Sequence, residues 1–180
     1  MRCPKCKEPY LMATKIESGL SAMGCQRCEG ALISLLYYRD WAQTATLPTE
    51  KLKAEPVSQP TETSDTSVAL SCPKCARLMR KFQISGCHHN RLDLCLSCDD
   101  VWLDGGEWEM LKALELSNHM PKIFTDPWQT KVRAQARDEE RKLRYLNILG
   151  EEDLQKSEDL RSWLKNHPKR QEILFYINHN

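Results

Sequence analysis

The sequence predicts a small, metal-stabilised α+β fold: two β-hairpin modules, each closed by two cysteine knuckles and followed by a helix, with a C-terminal α-helical region. Three observations carry this expectation. Eight of the nine cysteines lie in four C-x-x-C pairs. Those pairs recur as a duplicated unit, Cys3-Pro4-Lys5-Cys6 as Cys72-Pro73-Lys74-Cys75 and Cys25-Gln26-Arg27-Cys28 as Cys95-Leu96-Ser97-Cys98. Beyond Asp126 the chain becomes charge-rich, with apolar residues at helical spacing. The expected domains are residues 1–45, a first module with a short helix; 46–71, a flexible linker; 72–120, a second module with its helix; and 121–180, charged helices.

Each element has its own signal. In the second module Leu78, Phe82 and Ile84 occupy even positions before a Ser85-Gly86 turn, and Leu92 and Leu94 alternate after it. In the first, the segment from Leu11 to Ile16 leads to Ser18-Gly19 and returns through Leu20 to Met23. A helix is expected from about Gly106 to Asn118, with a shorter counterpart from Leu35 to Gln43. The linker holds Pro48, Pro56 and Pro60 among Thr, Ser, Glu and Lys and has too few apolar residues for a core. Asp126-Pro127 places an N-cap and a first-turn proline at the head of a helix that Gly150 should stop. A second helix is expected over Glu151–Lys165 and a last one over Lys169–Ile177. Between Val132 and Leu143 almost nothing is apolar, so that stretch should be solvated or covered by a partner.

The cysteine spacing is the strongest chemical signal. A C-x-x-C pair brings two sulfurs together from one tight turn, and two such turns complete a tetrahedron. Eighteen residues separate the pairs in the first copy and nineteen in the second, inside the range of structural zinc sites. The expected ligands are Cys3, Cys6, Cys25 and Cys28 for one Zn²⁺, and Cys72, Cys75, Cys95 and Cys98 for another. A single iron in rubredoxin-like sulfur coordination is the lesser alternative. A thioredoxin-like redox pair lacks its βαβ context. Disulfides do not suit a chain that opens without a hydrophobic leader and is expected to be cytoplasmic. No apolar run approaches the ~20 residues of a membrane span. The ninth cysteine, in Gly86-Cys87-His88-His89-Asn90, is read as part of an exposed loop; a third metal site there is the weaker reading.

Charge narrows the choice of partner. The chain has 26 basic and 25 acidic residues, a formal net charge of +1. Eight thiolates and two Zn²⁺ ions together subtract four charges, which brings the loaded protein to about −3. Only local patches could therefore favour nucleic acid. The segment from Arg77 to Arg91 is one: it carries Arg77, Arg80, Lys81 and Arg91 and no acid.

The second copy continues Cys95-Leu96-Ser97-Cys98-Asp99-Asp100-Val101-Trp102-Leu103-Asp104-Gly105-Gly106-Glu107-Trp108. With Cys72-Pro73-Lys74-Cys75 it resembles the transcription-factor-IIB-like zinc-ribbon family of short prokaryotic proteins, whose pattern runs C-P-x-C, a hairpin, C-x-x-C-x-G-x-W-L-D-x-G-E-L and a helix. The resemblance implies that Trp102 packs behind the knuckle and that Asp104 and Glu107 mark the turn into the helix. Asp100 replaces the usual glycine and Trp108 the usual leucine. The first copy keeps Gly30 but has Leu32-Ile33-Ser34 where Trp-Leu-Asp is expected. The C-terminal helices match nothing in the family pattern.

The functional expectation is a non-catalytic, zinc-binding adaptor that recognises a protein partner, with nucleic-acid or transcription-complex binding through the Arg77–Arg91 hairpin as the alternative. Trp102 and Trp108 are expected to be core more than contact surface. No small-molecule substrate is expected: four-cysteine sites are closed, and neither a glycine-rich phosphate loop nor a Ser/His/Asp constellation is present.

Overall fold

The structure, a computed structural model, describes residues 1–7, 9–44 and 65–179. Of the expected linker over 46–71, residues 46–64 lie outside the described residues. The chain divides into two compact units, Met1–Gln135 and Ala136–Asn180.

Both cysteine-bearing modules lie in the first unit and share a single sheet. Its strands are β1 (Met12–Glu17), β2 (Leu20–Gly24), β3 (Ala31–Ser34), β4 (Arg80–Gln83), β5 (Arg91–Cys95) and β6 (Asp100–Leu103). They pair antiparallel in the palindromic order β1-β2-β3-β6-β5-β4. The sequence reading treats the modules as separate pieces; in the structure they are fused along β3–β6. Along that seam Ala31 faces Leu103, Leu32 faces Trp102, Ile33 faces Val101 and Ser34 faces Asp100. Counting from the second cysteine pair of each copy, Leu32 is the counterpart of Trp102. The two copies are thus related by a pseudo-two-fold axis through the Leu32–Trp102 pair, as subunits of a symmetric dimer would be.

The seam also accounts for the glycine of the first copy. Gly30 of the first copy lies against Trp102 of the second: a Cβ on Gly30 would sit 2.3 Å from the indole Cζ2 and 3.0 Å from the Leu103 carbonyl oxygen. The counterpart of Gly30 is Asp100, which faces Ser34 at the end of the seam, and the counterpart of Trp102 is Leu32, a smaller side chain. The first copy thus has glycine and leucine at the two positions, and the second has aspartate and tryptophan. The absence of a side chain at Gly30 makes room for the indole of Trp102 across the seam.

Alternation sends the seam residues to two faces. Ile33, Val101 and Leu103 join Leu20, Leu92, Leu94 and Phe82 in a core covered by helices α1 (Leu35–Thr44), α2 (Glu107–Ala113) and α3 (Met120–Ile123). Tyr38 anchors it, donating its hydroxyl to the Ser117 carbonyl at 2.6 Å and accepting the Met120 amide at 3.1 Å. Trp41 and Trp108 meet edge to face at 5.7 Å. Trp102 and Trp108 are both buried, as core residues. Leu32 and Trp102 turn to the opposite face, among the cysteines.

Several elements differ from expectation for local reasons. The helix expected over 106–118 stops at Ala113 because Glu115 adopts φ 56° and the Leu116 amide returns to the Leu111 carbonyl at 2.7 Å, a Schellman closure. Leu78 is exposed and Met79 buried. Leu78 belongs to an isolated bridge with Ser71 that precedes β4, so the alternation counted from Leu78 is out of phase. Residues at the end of the expected linker are held in place: Arg91 pairs with Asp65 at 2.8 Å, the Thr66 amide donates to Asp104 Oδ2 at 2.7 Å, and Leu70 is buried.

Helix α4 (Asp126–Lys165) is interrupted at Gly150, where φ is 77° and ψ 171°, as expected of the glycine stop. Its first turns belong to the first unit. There Val132 is buried and the Gln129 side chain bonds both the amide and the carbonyl of Gln83. In the second unit the runs on either side of Gly150 fold back on each other, with Lys142 3.9 Å from Glu158, and α5 (Arg170–Asn178) follows. The stretch after Val132 is largely exposed, as its composition implies.

Candidate metal centres

All eight expected cysteines converge in two quartets, Cys3/Cys6/Cys25/Cys28 and Cys72/Cys75/Cys95/Cys98, with the sulfurs of each within 4.8 Å of one another. Cys3 Sγ lies 3.7 Å from Cys28 Sγ, and Cys75 Sγ lies 3.6 Å from Cys95 Sγ. A tetrahedron with metal–sulfur bonds of ~2.3 Å has edges of roughly 3.8 Å, whereas a disulfide needs ~2.05 Å. All nine cysteines are free thiols. The quartets fit one tetrahedral metal ion each.

The knuckles repeat one local geometry. In each, the residue after the second cysteine has positive φ: Lys7 at 68°, Glu29 at 57°, Ala76 at 61° and Asp99 at 55°. Its amide donates to the carbonyl of the first cysteine, at 2.9 Å for Lys7, 2.9 Å for Glu29, 2.8 Å for Ala76 and 3.0 Å for Asp99. None of these residues is glycine, and a left-handed conformation costs an L-residue about 1 kcal/mol. Tying all four turns to a metal would offset that cost. The turns also aim amides at sulfur, as Cys6 N does at Cys3 Sγ, 3.3 Å away.

The thiols differ in how readily they give up a proton. A hydrogen bond from the Arg77 amide brings Cys75 down to about 7. Burial opposes ionisation at Cys25, yet the amides of Cys28 and Arg27 outweigh it and bring that thiol to about 7 as well. Burial pushes Cys28 up, and the hydrogen bond shared with Cys75 raises Cys98 to about 12. Sulfurs this close cannot all carry negative charge without a cation among them, so binding a metal must release protons.

Two lysines that the sequence reading did not single out complete the surroundings. Lys5 Nζ is 3.3 Å from Asp104 Oδ1 and Lys74 Nζ is 2.7 Å from Asp100 Oδ2. They are the same residue of the repeated Cys-Pro-Lys-Cys turn, and each meets a buried aspartate at one end of the β3–β6 seam; the repetition of that lysine was the available signal. Asp104 also accepts the Trp102 indole N–H at 3.1 Å, and Trp102 packs behind the knuckles as the resemblance implies. Glu107 reaches back to the Asp104 amide at 2.9 Å, closing the start of α2 like a capping box.

Burial raises Glu107 to about 8, from an ordinary 4.5. A carboxyl raised in the folded state contributes stability below its unfolded pKa, and that contribution is lost as pH rises through the folded value. Between pH 6 and 8 the cost is of the order of 2 kcal/mol. Glu107→Gln keeps an acceptor for the Asp104 amide and should flatten the decline of stability across this range. Denaturant melts of both metal-loaded proteins at several pH values check this; parallel pH profiles would refute it.

The loop residues fall outside both quartets. Cys87 is exposed, and the His88 ring is engaged with Ser85 at 2.9 Å. Among the described residues only the two cysteine quartets cluster as metal donors. Four sulfurs fill a tetrahedron and leave no open position for substrate, so each quartet is of the structural, non-catalytic kind. Among the described residues no helix is long and apolar enough to cross a membrane. Comparisons with protein-family models, curated proteins and solved structures found no match.

Proposed function

We propose that the protein is a zinc-dependent adaptor that docks onto another protein, with Cys3, Cys6, Cys25 and Cys28 holding one Zn²⁺ and Cys72, Cys75, Cys95 and Cys98 the other. The sulfur geometry supports the metal, and zinc is preferred to iron because the C-x-x-C spacing of both copies falls in the range of structural zinc sites. The Asp104–Glu107 cap and the position of Trp102 support the resemblance to transcription-factor-IIB-like ribbons. A reducing, cytoplasmic location suits eight thiolate ligands.

One observation favours protein over nucleic acid. Two of the four basic residues of the hairpin are already paired with acids within the chain, and the other two are held by uncharged neighbours. Lys81 pairs with buried Asp93 at 2.8 Å, Arg91 with Asp65 at 2.8 Å, Arg77 donates to Ser97 at 2.6 Å, and Arg80 lies over the Phe82 ring at 5.0 Å. Lys81 and Arg91, already paired with carboxylates, would release few counterions on meeting phosphate, which leaves Arg77 and Arg80 as the charges that could. Meanwhile Leu78 and Leu96 are exposed beside the second quartet. Their place at the knuckles suits apolar contact with a protein.

Retention of the zinc-loaded chain on mixed DNA and RNA, followed through a salt series, tests the choice. The adaptor reading expects no salt-dependent retention at low ionic strength. Retention with a steep salt slope, lost on reversing Arg77 and Arg80, would establish nucleic-acid binding instead.

A further inference from the structure

The second unit has almost no interior. Among its described residues only Leu164 is buried, whereas Leu160 is 43% exposed, Trp163 54% and Phe175 66%. The nine-residue α5 buries nothing. Helices this short are marginal in water without a packed apolar face. The cleft between the runs on either side of Gly150 mixes charged residues (Asp138, Lys142, Glu158, Arg161) with Tyr145, Leu149 and Leu154. Tyr145 and Leu149 stay exposed there, so the cleft does not bury them as a packed core would.

The charge order along this unit indicates what covers it. From Glu151 to Asp159 there are five acids and one lysine, a formal charge of −4. From Arg161 to Arg170 there are four basic residues and no acid, a formal charge of +4. Leu160 lies at the boundary, and Leu160 and Trp163 share one helical face by spacing, with the His167 ring packed 4.7 Å from that of Trp163 just beyond the helix end. Arg161, Lys165, Lys169 and Arg170 make no ion pair with a described residue. A second copy laid antiparallel along this segment sets each acidic stretch against a basic one and closes Leu160 and Trp163 over each other. A parallel copy sets like charges together.

We infer that the chain forms a two-fold symmetric dimer through residues 151–170, in which the acidic half of each copy meets the basic half of the other. This is independent of the metal reading. Acids at the start of a helix and bases at its end also favour the helix dipole, but the dipole acts within one chain and leaves the exposed Leu160 and Trp163 unexplained.

Sedimentation equilibrium of the metal-loaded full chain, from micromolar upward, tests the inference. The wild type should be a dimer that weakens as salt rises. Reversing the acids (Glu151→Lys, Glu152→Lys, Asp153→Lys, Asp159→Lys) or the bases (Arg161→Glu, Lys165→Glu, Lys169→Glu, Arg170→Glu) should raise the dimer dissociation constant about 100-fold or more. An equimolar mixture of the two reversed chains should pair again. Trp163→Ala should weaken the dimer with metal content unchanged. Far-UV circular dichroism of each variant monitors helicity, the property a dipole effect alone would move. A wild type monomeric at every concentration, a dimer indifferent to both reversals, or reversed chains that do not recombine would each overturn the inference.

Discussion

Complete chelation of the metal unfolds the first compact unit in one transition, with both copies lost together. The apparent affinity of a structural four-cysteine zinc site amounts to ~10–16 kcal/mol, and a whole domain is stable by only ~5–15 kcal/mol. Losing either ion should therefore exhaust the stability available. The copies should fail together because their sulfurs, with Leu32 and Trp102 between them, belong to one apolar cluster. They also share the β3–β6 ladder. Cys72→Ser, which opens only the second quartet, should disorder the first copy too. Near-UV circular dichroism reports on this unit through the buried Trp41, Trp102 and Trp108, and amide exchange resolves β1–β2 from β4–β5. An unchanged near-UV spectrum and melt after verified metal removal would end the structural-metal reading. Separate transitions for the two hairpins would show that the seam does not couple them.

Gly30→Ala is the point substitution expected to cost most. The new methyl would lie 2.3 Å from an indole carbon and 3.0 Å from a backbone oxygen, and Trp102 is fully buried with its N–H committed to Asp104. Neither side can move aside without opening the seam, so the penalty should reach about 3 kcal/mol. The conformation at Gly30 is not the issue, since the cost arises from close approach across two copies of the repeat. Adding Trp102→Leu should recover part of the loss, because the smaller side chain frees the space the methyl needs; a double-mutant cycle measures that coupling. If the two costs simply add in urea melts of the metal-loaded protein, Gly30 and Trp102 do not act through this contact. Asp100→Ala, at the counterpart position, meets no indole and should instead report on the loss of the Lys74 pair.

The convergence of the cysteines into two quartets was legible because knuckle chemistry is local. Four residues make a turn, the turn sets two sulfurs, and the spacing of two turns selects the metal geometry, so Cys3 through Cys98 could be assigned by counting. The same holds for the Ser18-Gly19 turn, where Gly19 has φ 80°, and for the break at Gly150. The seam strands were not legible. Ala31-Leu32-Ile33 and Val101-Trp102-Leu103 are buried on both faces, so they are short continuous apolar runs with no alternation to mark them as strands. The end of α2 was missed because its left-handed cap is a glutamate, where glycine is the usual signal. Nor could composition show that the basic residues of the Arg77–Arg91 hairpin are engaged by Asp93, Asp65, Ser97 and Phe82.

By itself, then, the sequence determined that the chain carries two four-cysteine sites on hairpins and ends in helices, since each rests on residues a few positions apart. Only the tertiary structure decided that the two copies are a single body. It also showed why residue 30 of the first copy is a glycine. That is settled by contact between residues 72 positions apart in the chain, where the volume of Trp102 leaves no room for any side chain at residue 30.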